Sequence, residues 1–514
     1  MTSPQVLEGV ALGELLADLP ARPLSAELSS LMIGGLQLDS RKLAAGELFI
    51  AYPGRLSDGR NYLAAAQAAG AVAALVESEG FSASRVSTSL PIIAIDNLAH
   101  KVSAIAGRFY AAPSANLALT GITGTNGKTT CAQLLAQVFA LLGKPAGVIG
   151  TLGYGLFGAD GAEQTGTTDT GLTTPDAVSV QRILAGLLDE GAAAVAMEVS
   201  SHSLDQGRVA GLHFSTAVFT NLTQDHLDYH QTMAAYQQAK ARLFSAPGLE
   251  NAIVNSDDAA GRAIIAELAA GEARCYSYSH SRKEADIYAR DAAFGPRGMR
   301  AHLTTPWGQG ELRSRLQGEF NLSNLLAVVA AACVQGHALS AVLTAVEQLQ
   351  PVSGRLEVVD AKALPLVVVD YAHTPDALEK ALGALRPACE AQLWCVFGCG
   401  GDRDQTKRAV MGLVAATLAD RLVITSDNPR DEEEQAIIDD VLAGIPAGGD
   451  KDAAPRVYAD RRAAIRFAVN NAGPQDVVLI AGKGHEDYQL IKDQRLPFND
   501  VVEVRLALRD RGKV

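Results

Sequence analysis

The sequence has no apolar run as long as the roughly 18 residues that a membrane-spanning helix needs. The segment from Met1 to Leu19 contains acidic side chains and no basic stretch of the kind that begins a secretory signal. We therefore expect a cytoplasmic protein without membrane insertion.

Basic side chains are few relative to acidic ones. The chain has 44 Lys and Arg against 57 Asp and Glu, which gives a formal net charge of -13. A protein that binds duplex nucleic acid normally has a basic face, so this balance argues against nucleic acid as a partner. An anionic ligand would have to be held by a few well-placed cations.

Cysteine is sparse, with 6 residues in the chain of 514. The cysteines are scattered through apolar stretches and form no CxxC pair, which predicts buried, reduced thiols. Cys395 and Cys399 are separated by three residues, but no partner set of cysteine or histidine accompanies them. A structural metal site at this pair is therefore not predicted.

Glycine is abundant, and its most informative cluster is the segment 124–130, GTNGKTT. This segment follows an apolar run at 117–122 and opens the helical pattern 131–142. A glycine-rich turn between a strand and a helix points backbone N–H groups at one spot, where the helix N-terminus, the Lys128 ammonium and a hydroxyl can hold a polyphosphate. The strict P-loop spacing would have glycine where Ile122 stands. We predict a phosphate-binding loop; the alternative is a tight turn before an ordinary helix.

The length of the chain exceeds what one hydrophobic core supports and predicts about three domains. The predicted fold class is α/β, with a small N-terminal α/β domain at 1–97, a central P-loop ATPase-like parallel-sheet domain at 98–350 and a C-terminal Rossmann-like domain at 351–514. A hinge is predicted at 351–354, PVSG.

Continuous apolar runs predict buried parallel strands in the two larger domains. The strands predicted there are 117–122, 192–199, 217–220, 366–370, 393–397, 421–425 and 476–480, and the first domain is predicted to end in a strand at 91–95. The predicted helices include 97–110, 131–142 and 321–334.

Polar side chains follow two strands of the central domain. Glu198 ends one strand, and a carboxylate there could hold Mg²⁺ while Thr129 supplies a hydroxyl. The alternative is that Glu198 caps the next helix. The segment 221–230, NLTQDHLDYH, places two histidines and two acids after the next strand, which favours a metal or phosphate site.

Five motifs in this order resemble those of the Mur ligases of peptidoglycan synthesis. They are GTNGKTT at 124–130, MEVSSH at 197–202, TNLTQDHLDYH at 220–230, DYAHTP at 370–375 and AGKGHE at 481–486. Within the family, the chain most resembles the branch that adds meso-diaminopimelate to UDP-N-acetylmuramoyl-L-alanyl-D-glutamate. The resemblance spans essentially the whole chain and thins in the first ninety residues and between about 270 and 312. It implies an ATP-dependent amide ligase that acts through an acyl phosphate on the D-glutamyl γ-carboxylate.

The resemblance also implies the residues that handle ATP and Mg²⁺. The implied catalytic residues are Lys128, His226, Lys240 and Arg355. The implied ATP contacts are Gly124, Thr125, Asn126, Gly127, Lys128, Thr129, Thr130, Asn324, Arg355 and Asp370, with Asn321 beside them, and the implied Mg²⁺ ligands are Thr129, Glu198, His226 and Lys240. In the family this lysine is carbamoylated by CO₂, which turns a cation into an anionic oxygen ligand. Without the resemblance, Lys240 would be interpreted as a surface lysine and Asn321 as a helix N-cap.

The same resemblance implies the substrate contacts. Those for the UDP-linked dipeptide are Leu38, Ser40, Thr173, Thr174, Ser200, Gln206 and Arg208, and the loop Arg55, Leu56 and Ser57 lies where the family contacts the same ligand but differs in residue type. Those for the amino acid are Arg403, Asp427, Asn428, Pro429, Arg430, Gly482 and Glu486. Arginine suits a carboxylate held by two hydrogen bonds. For Arg430 the alternative is a salt bridge to the acids that follow it.

The implied partners are therefore the UDP-N-acetylmuramoyl dipeptide and meso-diaminopimelate, with ATP and Mg²⁺ as cofactors, and we expect a monomer. Alternatives are a lysine-adding Mur ligase, a folylpolyglutamate synthase-like ligase, or a switch or scaffold that binds ATP without ligation. The N-terminal LDSR segment at 38–41 argues against the folylpolyglutamate branch. The constellation of Glu198, His226 and Lys240 argues against a switch, which needs no second metal.

Overall fold

The computed structural model of the protein describes residues 9–17, 19, 24–54, 57–82, 88–158, 165–295, 298–359, 365–446 and 454–511. Its main sheets have 4, 11 and 6 strands, and two further sheets have 2 strands each. The predicted α/β class with three domains is confirmed. The exact limits 1–97, 98–350 and 351–514 stay predictions. Within the described part of the chain, no helix combines the length and the apolar character needed to cross a membrane.

The first domain is built on a fully parallel sheet in the order β3-β4-β5-β6. Its strands are β1 Val10–Ala11, β2 Met32–Ile33, β3 Gly35–Gln37, β4 Glu47–Ala51, β5 Ala73–Glu77 and β6 Ile92–Ile95, and its helices are α1 Leu12–Leu15, α2 Ala26–Ser29, α3 Leu63–Ala68 and α4 Leu98–Phe109. Val102, Ile105 and Phe109 of α4 are buried in the same apolar cluster as Leu48 and Leu75 of the sheet. The helix predicted at 97–110 is thus present, and its apolar face covers the first sheet.

The central sheet has β7 at its middle, with β11 and β12 as parallel neighbours. Its order is β10-β9-β8-β11-β7-β12-β13-β14-β15-β16-β17, and antiparallel pairs continue the parallel core at both edges. The strands are β7 Ala118–Thr123, β8 Ala146–Gly150, β9 Gly153–Phe157, β10 Thr165–Thr168, β11 Ala194–Glu198, β12 Thr216–Phe219, β13 Asn251–Asn255, β14 Arg274–Ser279, β15 Ile287–Gly295, β16 Gly298–Thr305 and β17 Gly308–Ser314.

Helices cover both faces of the central sheet. They are α5 Lys128–Leu141, α6 Ala177–Asp189, α7 Ser201–Asp205, α8 Leu227–His230, α9 Met233–Ala241, α10 Ala259–Leu268, α11 Glu319–Val334 and α12 Leu339–Gln348. Helices α5 and α11 share one buried apolar cluster, and α6 and α10 share another. The strands read as continuous apolar runs because both of their faces are covered.

The third domain is doubly wound, with the strand order β18-β19-β23-β20-β21-β22 and only the edge strand β18 antiparallel. Its strands are β18 Glu357–Val358, β19 Leu366–Asp370, β20 Leu393–Phe397, β21 Arg421–Thr425, β22 Arg456–Tyr458, β23 Val477–Ala481, β24 Tyr488–Ile491 and β25 Gln494–Pro497. Its helices are α13 Pro375–Leu385, α14 Thr406–Leu418, α15 Glu434–Leu442, α16 Arg461–Asn471 and α17 Asp500–Arg511. Short 3₁₀ helices elsewhere in the chain are Gly59–Tyr62, Pro113–Asn116, Arg242–Ser245 and Arg386–Ala388.

Every predicted buried strand is present, with its ends displaced by no more than a residue or two. The helix after the glycine-rich loop begins at Lys128, earlier than the predicted 131, because the loop closes directly into its first turn. The carboxyl ends of parallel strands meet at one edge of a sheet, so the segments that follow β7, β11 and β12 are brought together, as are those that follow β19, β20, β21 and β23.

Candidate functional site

The glycine-rich loop joins β7 to α5 and depends on two glycines. Gly124 has φ 146°, and a Cβ there would overlap the Thr220 hydroxyl. Gly127 has φ 86°, and a Cβ there would lie 2.5 Å from Asn324 Oδ1. Both positions combine a left-handed backbone with a close neighbour, so only glycine fits. The loop therefore has the conformation that the phosphate-binding prediction requires.

Two lysine side chains converge on this loop. Lys128 Nζ donates to the carbonyls of Gly124 at 2.9 Å and Thr125 at 2.8 Å, and Lys240 Nζ donates to the Gly124 carbonyl at 2.7 Å. Lys240 is only 1% exposed, so the interpretation as a surface lysine is wrong. Burial lowers the pKa of Lys128. Burial, reinforced by the charge of Lys128, lowers the pKa of Lys240 well below its usual value.

Glu198 lies against the first turn of α5. Its Oε2 accepts from the hydroxyls of Thr129 at 3.0 Å and Thr151 at 3.1 Å, and its Oε1 accepts from the Thr151 backbone N–H at 2.8 Å. The next helix is capped instead by Ser200, whose Oγ accepts from the Ser203 N–H at 3.1 Å. The capping interpretation of Glu198 is therefore wrong.

The segment after β12 contributes His226 to the cavity between the central and third domains, whereas His230 turns away to contact the Ser201 hydroxyl at 2.9 Å. Burial lowers the pKa of His226 to about 3, so the ring is neutral near pH 7. Asp225 lies 3.5 Å from His226 Nε2. Burial opposes ionisation of Asp225, but the neighbouring His226, His373 and Lys407 keep its pKa below the usual value.

Asn321 and Asn324 lie in the first turns of α11. Gly318 is the N-cap residue of that helix, so the N-cap interpretation of Asn321 is wrong. Asn321 Nδ2 donates to the Gln317 carbonyl at 2.8 Å, and Asn321 Oδ1 accepts from Asn324 Nδ2 at 3.1 Å. This pair holds Asn324 against the loop glycine Gly127.

Arg355 joins the third domain to the phosphate loop, and Asp370 lies close to Arg355. Arg355 Nη2 donates to Thr129 Oγ1 at 3.1 Å, and its guanidinium lies 4.6 Å from the centroid of the Tyr371 ring. Asp370 Oδ2 accepts from the Leu356 N–H at 2.7 Å, and burial raises its pKa to about 6. The buried Arg355 Nε has no hydrogen-bond partner among the described residues.

A single cavity of about 1860 Å³ is lined by residues of the central and third domains. The predicted site residues that line it are Thr173, Thr174, Ser200, Arg208, His226, Arg355, Arg403, Asp427, Asn428, Arg430, Gly482 and Glu486. The loop 124–130, Glu198 and Lys240 are not among the lining residues, and Arg355 connects the cavity to the loop through Thr129. Gln206 is held next to the cavity because its Oε1 accepts from Arg208 Nη2 at 2.6 Å.

The remaining predicted residues are not brought to this cavity. Leu38 and Ser40 follow β3 in the first domain, and Leu38 donates its N–H to Gln37 Oε1 at 3.0 Å. The predicted loop at 55–57 falls mostly outside the described residues, since only Ser57 belongs to them. Pro429 is also absent from the lining, and its carbonyl accepts from the Glu432 N–H at 3.1 Å.

Arg430 has φ 54° and donates through Nη1 to the carbonyls of Gly401 at 2.7 Å and Asn428 at 3.4 Å. The following acid Glu432 pairs with Arg408 instead, at 2.8 Å. The interpretation that Arg430 forms a salt bridge with the acids that follow it is therefore wrong. Burial, together with the neighbouring Arg403, lowers the pKa of Arg430.

Three family models match successive segments of the chain. The Mur ligase middle domain matches 122–332, the Mur ligase glutamate ligase domain matches 354–484, and the Mur ligase family catalytic domain matches 32–110. Together these segments cover most of the chain.

The chain belongs to the Mur ligase family.

Several curated relatives of the chain share one name. A UDP-N-acetylmuramoyl-L-alanyl-D-glutamate–2,6-diaminopimelate ligase of Pseudomonas aeruginosa is 50% identical over 479 residues, which cover 93% of this chain and 95% of that protein. A protein of the same name from Coxiella burnetii is 46% identical over 506 residues, which cover 98% of this chain and 100% of that protein. A solved structure of a protein of this name matches with a TM-score of 0.69 and 35% identity, over 98% of this chain and 99% of that one. The chain is an ATP-dependent amide ligase of this family.

The residues of this Mur ligase that could bind Mg²⁺ lie at the phosphate loop and at the end of β11. The described residues contain no group of three or more His, Cys, Asp or Glu that could hold a metal ion. Mg²⁺ in nucleotide sites needs only one or two protein oxygens, because phosphate oxygens and waters complete its shell. Thr129 and Glu198 provide such oxygens. Lys240 in its amine form donates a hydrogen bond and is not a ligand.

The six cysteines of this Mur ligase are free thiols, as predicted. Cys131, Cys333, Cys395 and Cys399 are buried, but Cys275 and Cys389 are only partly buried, which corrects the prediction for those two. Cys399 Sγ lies 3.7 Å from Met411 Sδ, so its environment is that of a packed core.

Three charged or titratable residues of this Mur ligase were not singled out from the sequence. Lys407 on α14 lines the cavity and is 8% exposed. His373 contacts the Tyr371 carbonyl through Nδ1 at 2.8 Å, and burial together with Lys407 lowers its pKa to about 4. Lys483 is fully buried beside Asp427 and Glu486. The signal for His373 and Lys483 is their place inside two of the family motifs; nothing local distinguishes Lys407 from a surface helix lysine.

Proposed function

We propose that this Mur ligase joins meso-diaminopimelate to the D-glutamyl γ-carboxylate of UDP-N-acetylmuramoyl-L-alanyl-D-glutamate, with conversion of ATP to ADP and phosphate. The observation that carries the proposal is the cavity that extends from Arg355 at the phosphate loop to the half-buried guanidinium of Arg430. The names of the relatives support the same substrates.

The first step is attack of the γ-carboxylate on the γ-phosphorus of ATP. A carboxylate–phosphorus bond forms while the bond between the γ-phosphorus and the bridging oxygen of ADP breaks, which gives an acyl phosphate. Two anions must approach each other, so the protein has to position them and offset their charge. We assign this role to Lys128 and Arg355. Arg355 lines the cavity, and its Nη2 already donates to Thr129 Oγ1 in the first turn after the phosphate loop.

The second step is attack of the diaminopimelate amine on the acyl carbon. The new carbon–nitrogen bond forms as the carbon–oxygen bond to phosphate breaks, and the amine loses a proton. We assign recognition of the amino acid to Arg403 and Arg430 for a carboxylate and to Asp427 and Glu486 for an ammonium, with Asn428, Pro429 and Gly482 shaping the site.

We assign the dipeptide part of the other substrate to Thr173, Thr174, Ser200, Gln206 and Arg208. Arg208 Nη1 donates to the Thr174 carbonyl at 2.9 Å, so its guanidinium is already oriented at the cavity wall. The uridine end is assigned to Leu38 and Ser40 in the first domain. The ATP contacts are assigned to the loop 124–130 with Asn324 and Asp370.

Mg²⁺ is part of the proposal, with Thr129 and Glu198 at one ion and His226 and Lys240 at a second. When bound, Mg²⁺ neutralises charge on the phosphate oxygens. His226 suits a ligand role because its ring stays neutral near pH 7. Lys240 suits carbamoylation because its lowered pKa leaves a larger share of neutral, nucleophilic amine.

The test is ADP release by the purified protein with each substrate omitted in turn. We expect turnover to require both the UDP-linked dipeptide and meso-diaminopimelate. Preference for lysine would indicate the lysine-adding branch, and turnover with a folate and glutamate would indicate the folylpolyglutamate branch. ATP hydrolysis at a rate that does not depend on either substrate would support a switch. Cytoplasmic location and a monomeric state belong to the proposal, and the latter is checked by sedimentation.

A further inference from the structure

Lys483 is a buried cation directly behind the part of the cavity wall proposed to receive the amino acid. It lies just after β23, two residues past its last residue Ala481, and its side chain is 0% exposed. A buried ammonium is costly unless acceptors surround it, so its presence here calls for a reason.

The Lys483 ammonium uses all three of its donors on residues of the proposed amino-acid site. Nζ donates to Glu486 Oε2 at 2.9 Å, to Asn428 Oδ1 at 3.1 Å and to Asp427 Oδ1 at 3.4 Å. An ammonium has only three N–H donors, so Lys483 has none left for a substrate carboxylate. Its effect on the substrate therefore passes through these three neighbours.

These contacts also fix the direction of the Asn428 amide. Asn428 Oδ1 accepts from Lys483 and from the Leu490 N–H at 2.9 Å, so Nδ2 is turned to Glu486 Oε2 at 2.8 Å. Leu490 belongs to β24, and its carbonyl accepts from the Arg430 N–H at 3.1 Å. Lys483 thus joins the loop 427–430, the segment 482–486 and the β24–β25 hairpin at one point.

The charges around Lys483 bear on the choice between diaminopimelate and lysine. Asp427 and Glu486 bring two negative charges close to the guanidinium of Arg430, and Lys483 offsets one of them. The far end of diaminopimelate is a zwitterion with no net charge, whereas the far end of lysine is a cation. A site with one more negative charge would favour the cation, because discrimination depends on the charge left unpaired with the wrong ligand.

We propose that Lys483 is a positioning residue that sets amino-acid selectivity, by cancelling one carboxylate charge so that the site prefers a zwitterionic end to a cationic one. This inference rests on the proposed function.

The test is the substitution Lys483→Met, which keeps the length of the side chain and removes its charge. The measurement is kcat/KM for meso-diaminopimelate and for lysine, with thermal unfolding and nucleotide binding as checks on folding. We expect the ratio of the two efficiencies to fall by about tenfold or more toward lysine, mainly through KM. Lys492→Met is the matched control, because Lys492 is exposed on the neighbouring hairpin, and its ratio should not change.

A second variant, Glu486→Gln, removes a negative charge while keeping the shape of the side chain. It should shift the ratio in the opposite direction, against lysine, and the double variant should return it toward the wild-type value. If Lys483→Met does not fold, the Glu486→Gln ratio decides. Equal losses for both amino acids would mean that Lys483 is merely structural and would overturn the inference. A wild type without diaminopimelate-dependent turnover would instead refute the proposed function.

Discussion

Arg430 is a cation without a carboxylate partner among the described residues. Its guanidinium is half-buried and donates to carbonyls, and no carboxylate of the described residues lies within salt-bridge distance of it. Burial and Arg403 lower its pKa, which means that its charge is poorly compensated without ligand. A ligand with a carboxylate would compensate the charge of Arg430, whereas a ligand without a carboxylate would leave that charge uncompensated.

We therefore predict that Arg430→Ala loses discrimination between meso-diaminopimelate and lysine. A buried cation left without a partner costs a few kcal/mol, or a factor of about a hundred in relative efficiency. The loss should come chiefly from the diaminopimelate reaction, measured as kcat/KM for both amino acids. Arg456→Ala, at an exposed position of the same domain, is the control. An unchanged preference in Arg430→Ala would contradict the assignment.

A second prediction concerns Lys240. Lys240→Ala should abolish ligation, with a loss of at least about a hundredfold, because the carbamate proposed there could no longer form. A short carboxylic acid added to the variant should restore part of the activity by supplying an anionic oxygen in the space left behind. Lys144→Ala, at an exposed position, should behave like the wild type. Full activity of Lys240→Ala without any addition would rule out the role.

At this scale the sequence predicts some site residues well and others poorly. The contact between Thr129 and Glu198 is predictable. Thr129 lies just after the loop that follows β7, Glu198 is the last residue of β11, and these parallel strands end at the same edge of the sheet. The burial of Lys240 is not, since nothing in the sequence of α9 distinguishes it from an exposed helix lysine and only the fold brings it against the phosphate loop. The N-cap interpretation of Asn321 fails because α11 starts at Glu319, after a glycine in a left-handed conformation.

At the scale of elements, one buried ion pair connects two helices of the third domain. Arg461 on α16 and Asp500 on α17 are both fully buried and lie 2.7 Å apart. The same guanidinium donates to the carbonyls of Ser426 at 3.3 Å and Ala481 at 2.9 Å. These carbonyls lie at the ends of the strands that lead into the two loops of the proposed amino-acid site. The ion pair therefore connects helices α16 and α17 to those loops.

Asp500→Asn should destabilise the protein by about 3–5 kcal/mol, because it leaves the Arg461 charge uncompensated in the interior. The measurement is the free energy of unfolding from denaturant titration, followed by a probe in the third domain. Arg386→Gln breaks the exposed pair with Asp420 and should cost about 1 kcal/mol or less. Equal effects of the two substitutions would show that the buried pair contributes no more to the free energy of unfolding than the exposed pair.

The elements themselves were predictable where their burial is uniform. Strands such as β20 and β23 are buried at every residue and stand out as apolar runs. No predicted element covers β15 to β17, because much of their length is exposed and their apolar residues are interrupted by polar ones. Their place at the sheet edge follows from pairing between distant segments, which local patterns do not encode.

At the scale of the whole molecule, four histidines near the large cavity share one property. Burial lowers the pKa of His202 and His373 to about 4 and that of His226 and His485 to about 3. In the unfolded chain a histidine titrates near pH 6.5. The unfolded state therefore binds more protons than the folded state between these values.

The stability of the protein should consequently depend on pH in a defined direction. The contribution of these histidines is fully present above about pH 6.5 and is lost as pH falls toward 4, because unfolding then takes up protons. Asp370, with its pKa raised to about 6, opposes this trend, but it is one group against four. We expect a lower free energy of unfolding at about pH 5 than at about pH 7.5.

His373→Gln should make this pH dependence shallower, whereas His302→Gln, at a half-exposed position on β16, should leave it unchanged. A free energy of unfolding that stays constant across this range would contradict the prediction.

The position of β7 has a consequence for how the protein is made. This strand carries the phosphate loop, and it pairs with β11 and β12, which begin at Ala194 and Thr216. During synthesis the loop sequence leaves the ribosome well before either neighbour exists. Thr220, whose hydroxyl packs against Gly124, is synthesised after both of these strands have begun. Because pairing between distant strands must precede a formed loop, a nascent chain gains the ability to bind a nucleotide only after about the first half of the central domain has emerged.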